Sequence, residues 1–230
     1  MKKGDLKKQE ILATAEEMFC RNGYAATGVQ DIIDRLDTSK GSFYHHFASK
    51  DVVLEGICAN RAAFIYSAAE KEAGHASGNI DRLNILLSGM IPFQEEKLPF
   101  LLMLMPVFAE PEGRIVRDCY SDTLVSLFRG AVCRQIKAGN ADGDLSCDDP
   151  ENAADLILSL VSGLWIRIAN LIIEAENRQA EPDLSECLRL ADACRTCIER
   201  YLFLPFGSIV LTDIPQLRLT IGQIHTHWAK

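Results

Sequence analysis

The chain has 230 residues, 48% of them hydrophobic and 24% charged, which excludes a disordered protein and allows a substantial core. Of its 24 Lys/Arg and 32 Asp/Glu, eight and seven fall in residues 1–50, so the net charge of −8 divides into +1 there and −9 in the rest. Lys2, Lys3, Lys7 and Lys8 thus gather at one end, where they suit phosphate, while the acidic body is repelled by nucleic acid.

In chain order, nearly every segment reads at helical period, with Gly, Pro and Asp as punctuation. A first helix is expected from about Leu6 to Asn22, with Ile11, Leu12, Ala15, Met18 and Phe19 on one face and Gly23 as its stop. Thr27, with Gln30 three residues on, reads as the capping box of a short second helix whose inward face is Ile32, Ile33 and Leu36. A third short helix begins near Thr38 or Ser39, and Ser49 is the cap expected for a fourth. Longer helices follow at roughly 50–73, 80–91, 94–109, 112–138, 150–178 and 184–204. Pro92, Pro99 and Pro106 predict short bent pieces in the apolar stretch around the third of these, since each removes a backbone donor. Asp149-Pro150-Glu151 marks a helix start. Beyond Leu204, Ile209–Leu211 and Leu217–Ile221 look strand-like, a small hairpin or an arm packing on a partner subunit.

The apolar run Leu98–Ala109 is too short to span a bilayer, and Leu156–Ile173 carries Arg167 and Asn170, so no membrane role is expected. No basic-then-apolar leader opens the chain, which points to the cytoplasm.

Two short helices joined by a tight turn, Thr27 to Leu54, form a helix-turn-helix whose second helix would lie in a DNA major groove. Ser39, Lys40, Ser42 and His45 offer hydrogen-bonding groups, Gly41 lets a backbone come close, and Phe43 and Phe47 pin the helix to Phe19 and Ile32. Thr27, Tyr44 and Lys50 stand at helix ends and at the rim, where phosphate oxygens would be held.

Phe19, Gly23, Thr27, Ile32, Ser39, Gly41, Phe43, Tyr44, His46, Phe47, Lys50, Asp51 and Leu54 together resemble the TetR (tetracycline-repressor-like) family. The resemblance implies a transcriptional regulator rather than an enzyme, most often a repressor. It places Ser39, Lys40, Ser42, Tyr44 and His45 toward DNA bases or backbone, with Thr27 and Lys50 on phosphate. It departs from the family pattern at Leu36-Asp37, where Ala-Gly is usual; the turn needs a left-handed residue, which Asp tolerates.

The expected fold is therefore all-α: a helix-turn-helix domain at 1–48, a helical effector-binding and dimerisation domain at 49–204, and a non-helical tail at 205–230. Residues 150–178 are apolar on nearly every side and 184–204 carry an apolar stripe. The resemblance implies that these two helices pair with their copies in a homodimer, matching a near-palindromic double-stranded operator. A small, largely apolar effector would lie among the kinked helices, near Phe93, Phe100, Met103 and Met105. Phe108, Tyr120, Phe128 and Trp165 complete that candidate lining.

Eight Cys in a cytosolic chain read first as reduced thiols. Cys187, Cys194 and Cys197 fall near one helix face, so a thiol- or soft-metal-responsive regulator is the alternative. His225 and His227 would share a strand face, without enough further ligands for a metal. No Gly-rich phosphate loop or nucleophile elbow is present, and no cofactor is expected; a helical adaptor that ignores DNA is the remaining rival.

Overall fold

The computed structural model describes residues 3–111 and 113–228, and among these it contains ten α-helices and no strand. They are α1 (Lys3–Asn22), α2 (Val29–Arg35), α3 (Lys40–His46), α4 (Lys50–His75), α5 (Asn79–Gly89), α6 (Leu98–Ala109), α7 (Gly113–Asp142), α8 (Pro150–Asn177), α9 (Leu184–Tyr201) and α10 (Ile214–Trp228). The chain divides into two compact units, one of residues up to Arg61 with Leu102–Tyr120, the other of Ala62–Leu101 with the remainder from Ser121.

In the first unit, α1 buries Ile11, Leu12, Ala15 and Phe19, the face set by their helical spacing. It stops where Gly23 takes φ +88° and its N–H bonds back to the Phe19 carbonyl at 3.0 Å, a conformation that costs glycine little. The second helix starts one residue later than its capping box suggested. Gly28 is the N-cap, and its N–H is held at 2.7 Å by the Asp31 carboxylate, not by Gln30. Thr27 is instead buried, its hydroxyl donating to the Gly23 carbonyl at 2.9 Å.

In the second unit, α8 begins as expected, with the Asp149 side chain accepting from the Asn152 N–H and Pro150 in the first turn. Its buried side includes Ile157, Val161, Trp165, Ile168 and Ile172. Its other side is exposed, so it is amphipathic rather than apolar all round, and it packs against α9 and α10.

Two expectations are corrected. The proline-rich segment is not a series of bent pieces: after a single 3-10 turn at Glu95–Lys97, α6 runs unbroken through Pro106. Pro99 falls in its first turn, where no donor is needed, and close packing of Leu101, Leu104, Met105 and Phe108 outweighs the one donor lost at Pro106. The tail is not strand-like. Residues 205–213 are irregular and then α10 forms, because Leu217, Thr220, Ile221 and Ile224 recur at i, i+3, i+4 and i+7 and are all buried. Leu219, which a strand reading sets beside Leu217 and Ile221, is exposed. The tail packs on α8 and α9 of its own chain.

Candidate nucleic-acid interface

The reading head is assembled from α1, α2 and α3 around a wholly apolar centre. Phe19, Ile32 and Phe43 have no exposed surface and Phe47 almost none, with the Phe43 and Phe47 rings 6.1 Å apart. Between α2 and α3 the chain reverses at Asp37, which adopts φ +45°. An aspartate accepts this left-handed conformation more readily than a larger residue, so the departure from Ala-Gly leaves the turn intact. Ser39 then caps α3, its Oγ accepting from the Ser42 N–H at 3.1 Å. Thr38 is not the cap.

This framework sorts the predicted DNA-facing residues into two groups. Lys40, Gly41, Tyr44 and His45 are exposed on α3, with Ser39 at its start and Ser42 half-buried beside them. Tyr44 is 54% exposed and stands edge-on to Phe43 at 5.4 Å, so a buried ring supports it from behind. Gly41 has ordinary helical backbone, and a Cβ there would meet only the Ser39 Oγ, at 3.9 Å. Nothing inside the fold requires a glycine at this position.

Thr27 and Lys50 face inward. Thr27 is 1% exposed. The Lys50 ammonium donates to the Tyr24 carbonyl at 2.9 Å and the Thr27 carbonyl at 3.1 Å, and lies 4.1 Å from the centre of the Tyr24 ring. The Tyr24 hydroxyl in turn donates to Asp51, and burial first, then that carboxylate, raises its pKa. Tyr24 carried no local signal in the sequence, because its partners lie 26 and 27 residues away.

The eight residues named as effector lining are all buried, four in each unit: Met103, Met105, Phe108 and Tyr120 in the first, Phe93, Phe100, Phe128 and Trp165 in the second. In the second unit, Phe128 meets the Tyr66 ring edge-on at 5.2 Å. The thiol alternative gains no support. Cys187 and Cys194 are buried and Cys197 exposed, and burial pushes the first two thiols up to about 11 and about 12, away from reactive thiolate. No group of three or more metal-ligating side chains occurs among the described residues. His225 and His227 lie on α10 rather than on a strand, and His225 Nδ1 is 2.5 Å from Glu176 Oε1.

The family model for bacterial regulatory proteins of the tetR family matches residues 11–57. Over 52 residues, 23% of this chain, it is 42% identical to the uncharacterized HTH-type transcriptional regulator YerO of Bacillus subtilis, covering 18% of that protein. Over 44 residues, 19% of this chain, it is 43% identical to the HTH-type transcriptional regulator QacR of Staphylococcus aureus, covering 23% of it. The chain thus spans under a quarter of the length of either relative. The crystal structure of a TetR-family transcriptional regulator from Pectobacterium atrosepticum superposes with a TM-score of 0.60 at 19% identity, over 89% of this chain and 100% of that one, a likeness of fold. Residues 11–57 thus carry the N-terminal domain of the tetR family of bacterial regulatory proteins, and the chain as a whole shares the all-helical fold of a solved TetR-family regulator.

Proposed function

We propose that the protein is a DNA-binding transcriptional regulator of the repressor type, acting in the cytoplasm as a homodimer on a near-palindromic operator and released by a small, largely apolar molecule. The observation that carries the reading is the outward face of α3. Lys40, Tyr44 and His45 are exposed donors on a short helix whose back is anchored by Phe43 and Phe47. Gly41 keeps its backbone bare although the fold does not demand it, which suits a helix that another molecule must approach closely. Lys40, Tyr44, His45, Ser39 and Ser42 take the contacts to DNA, and Thr27 acts by shaping the turn. The function is one of binding, with no catalytic step.

The dimer reading is supported by α8 and α9. Leu156, Leu160 and Gly163 form an exposed strip on α8, and Ala193, Cys197 and Tyr201 recur every four residues on the exposed side of α9. An apolar strip of this kind on a long amphipathic helix is what a helix-to-helix contact between copies buries. For the effector, the second unit offers flat aromatic groups at Phe93, Phe100, Phe128 and Trp165, a lining chemistry suited to an apolar ligand.

Hydroxyl-radical footprinting of the region upstream of the protein's own gene tests the reading. The wild type is expected to protect two half-sites about 10 base pairs apart or a multiple of that. Tyr44→Ala should lose the footprint while keeping its helical content. Absence of protection by wild type on any tested upstream duplex, or full protection by Tyr44→Ala, would contradict the assignment.

A further inference from the structure

Lys50 is the residue whose place in the structure departs most from its expected role on phosphate. Its ammonium bridges two carbonyls, those of Tyr24 and Thr27, that bracket the turn between α1 and α2, and it also stacks on the Tyr24 ring. Asp51, the next residue, accepts the hydroxyl of the same tyrosine. Two consecutive residues in the first turn of α4 therefore hold one residue of the turn by its carbonyl, its ring and its hydroxyl. The Thr27 carbonyl directly precedes Gly28, the N-cap of α2.

The grip matters because of what it holds. Helix α2 has seven residues and α3 has seven, too few for either to be stable alone. Their direction is set by what their ends are tied to. Within the turn, the Thr27 N–H reaches the Tyr24 carbonyl at 3.3 Å and the Thr27 hydroxyl the Gly23 carbonyl at 2.9 Å, and neither bond ties the turn to α4. A compact ammonium with three donors suits two carbonyls and a ring face; a planar guanidinium has its donors in a fixed fork and does not match that arrangement.

We infer that Tyr24, Lys50 and Asp51 form a latch that fixes the direction in which α2, and with it the reading helix α3, departs from the start of α4, so that Lys50 serves DNA binding by positioning the reading head rather than by neutralising a phosphate. This rests on the DNA-binding reading above.

Phosphate contact and positioning leave different marks on salt dependence. The full-length wild type, Lys50→Met, Lys50→Arg and Tyr24→Phe are titrated by fluorescence anisotropy with a labelled duplex from the gene's own upstream region, across about 50–300 mM KCl. A lost phosphate contact lowers the slope of log K against log salt by about 0.9 per contact, and arginine restores it. The latch predicts that Lys50→Met and Lys50→Arg both bind about tenfold more weakly with the slope unchanged. Tyr24→Phe, which keeps every cation, weakens binding in the same direction. A reduced slope in Lys50→Met, restored in Lys50→Arg, would overturn the latch. Hydrogen–deuterium exchange without DNA separates this from failure of the DNA reading itself. All three variants should exchange faster over residues 24–35 and unchanged over 150–228, and unchanged exchange over 24–35 overturns the latch. A wild type that binds no duplex while the exchange differences persist refutes the DNA reading and not the grip on the turn.

Discussion

Lys97 carries its ammonium into the second unit, where it donates to the carbonyls of Gly89 at 2.7 Å and Ile91 at 2.9 Å and so ties the segment between α5 and α6 to the end of α5. Burial lowers its pKa from 10.5 to about 8. Below pH 8 the folded and unfolded chains both hold the proton, and the cost of the buried charge is fully present. Between about 8 and 10.5 the folded chain has already released it, so stability rises with pH in that window. Relative to Lys97→Met, the wild type should gain roughly 2–3 kcal/mol between pH 8 and 10.5, measured by urea denaturation. A difference that stays flat across that window would show that the amine is solvated. Nothing in the sequence distinguishes Lys97 from an exposed lysine, and the same holds for Lys50. A lysine's neighbours in sequence do not disclose which distant carbonyls it will meet. Asp37 and Ser39 were legible, because a left-handed turn and a helix cap are decided by residues within four positions.

At the scale of elements, the segment joining α9 to α10 is fixed by buried charge. Glu199 is 2% exposed and accepts from the N–H groups of Gly207 at 2.8 Å and Ile209 at 3.0 Å and from Arg195. Arg195 also covers the Phe206 ring at 4.1 Å. From the other side Asn84 clasps the same segment, donating to the Ser208 carbonyl at 2.8 Å and accepting from Val210 N–H at 2.9 Å. Glu199→Ala leaves Arg195 and two amides without their acceptor and should cost about 3–5 kcal/mol. Limited proteolysis should then cut first between 205 and 213, and a variant as stable and as resistant as wild type would refute the role given to Glu199. These anchors, distant in sequence, hold 207–210 in an irregular course although Ile209–Leu211 has the residue types of a strand. Leu217, Leu219 and Ile221 alternate as a strand does, but Thr220 and Ile224 complete a helical face only when Thr220 counts as a buried position. A buried threonine is not visible as apolar in a pattern of residue types. Likewise Pro106 signals a helix break by local propensity, which the packing of α6 overrides.

For the whole molecule, the amphipathic periods of α1 and α9, the long apolar run of α8 and the cap at Asp149 made the all-helical architecture legible. What the sequence did not disclose is which side of α8 stays outside, since Leu156 and Leu160 are as apolar as the Ile157 and Val161 that are buried. That side is the one the dimer reading uses. The central claim, a dimer that places two α3 helices on one DNA site, is tested most directly by comparing the wild type with Leu156→Glu/Leu160→Glu by sedimentation and by titration against the upstream duplex at several salt concentrations. The wild type should sediment as a dimer and bind one dimer per site with a steep salt dependence, while the double variant sediments as a folded monomer with affinity lowered at least about a hundredfold. A monomeric wild type, or a monomeric variant that binds the duplex as tightly as wild type, would contradict the account.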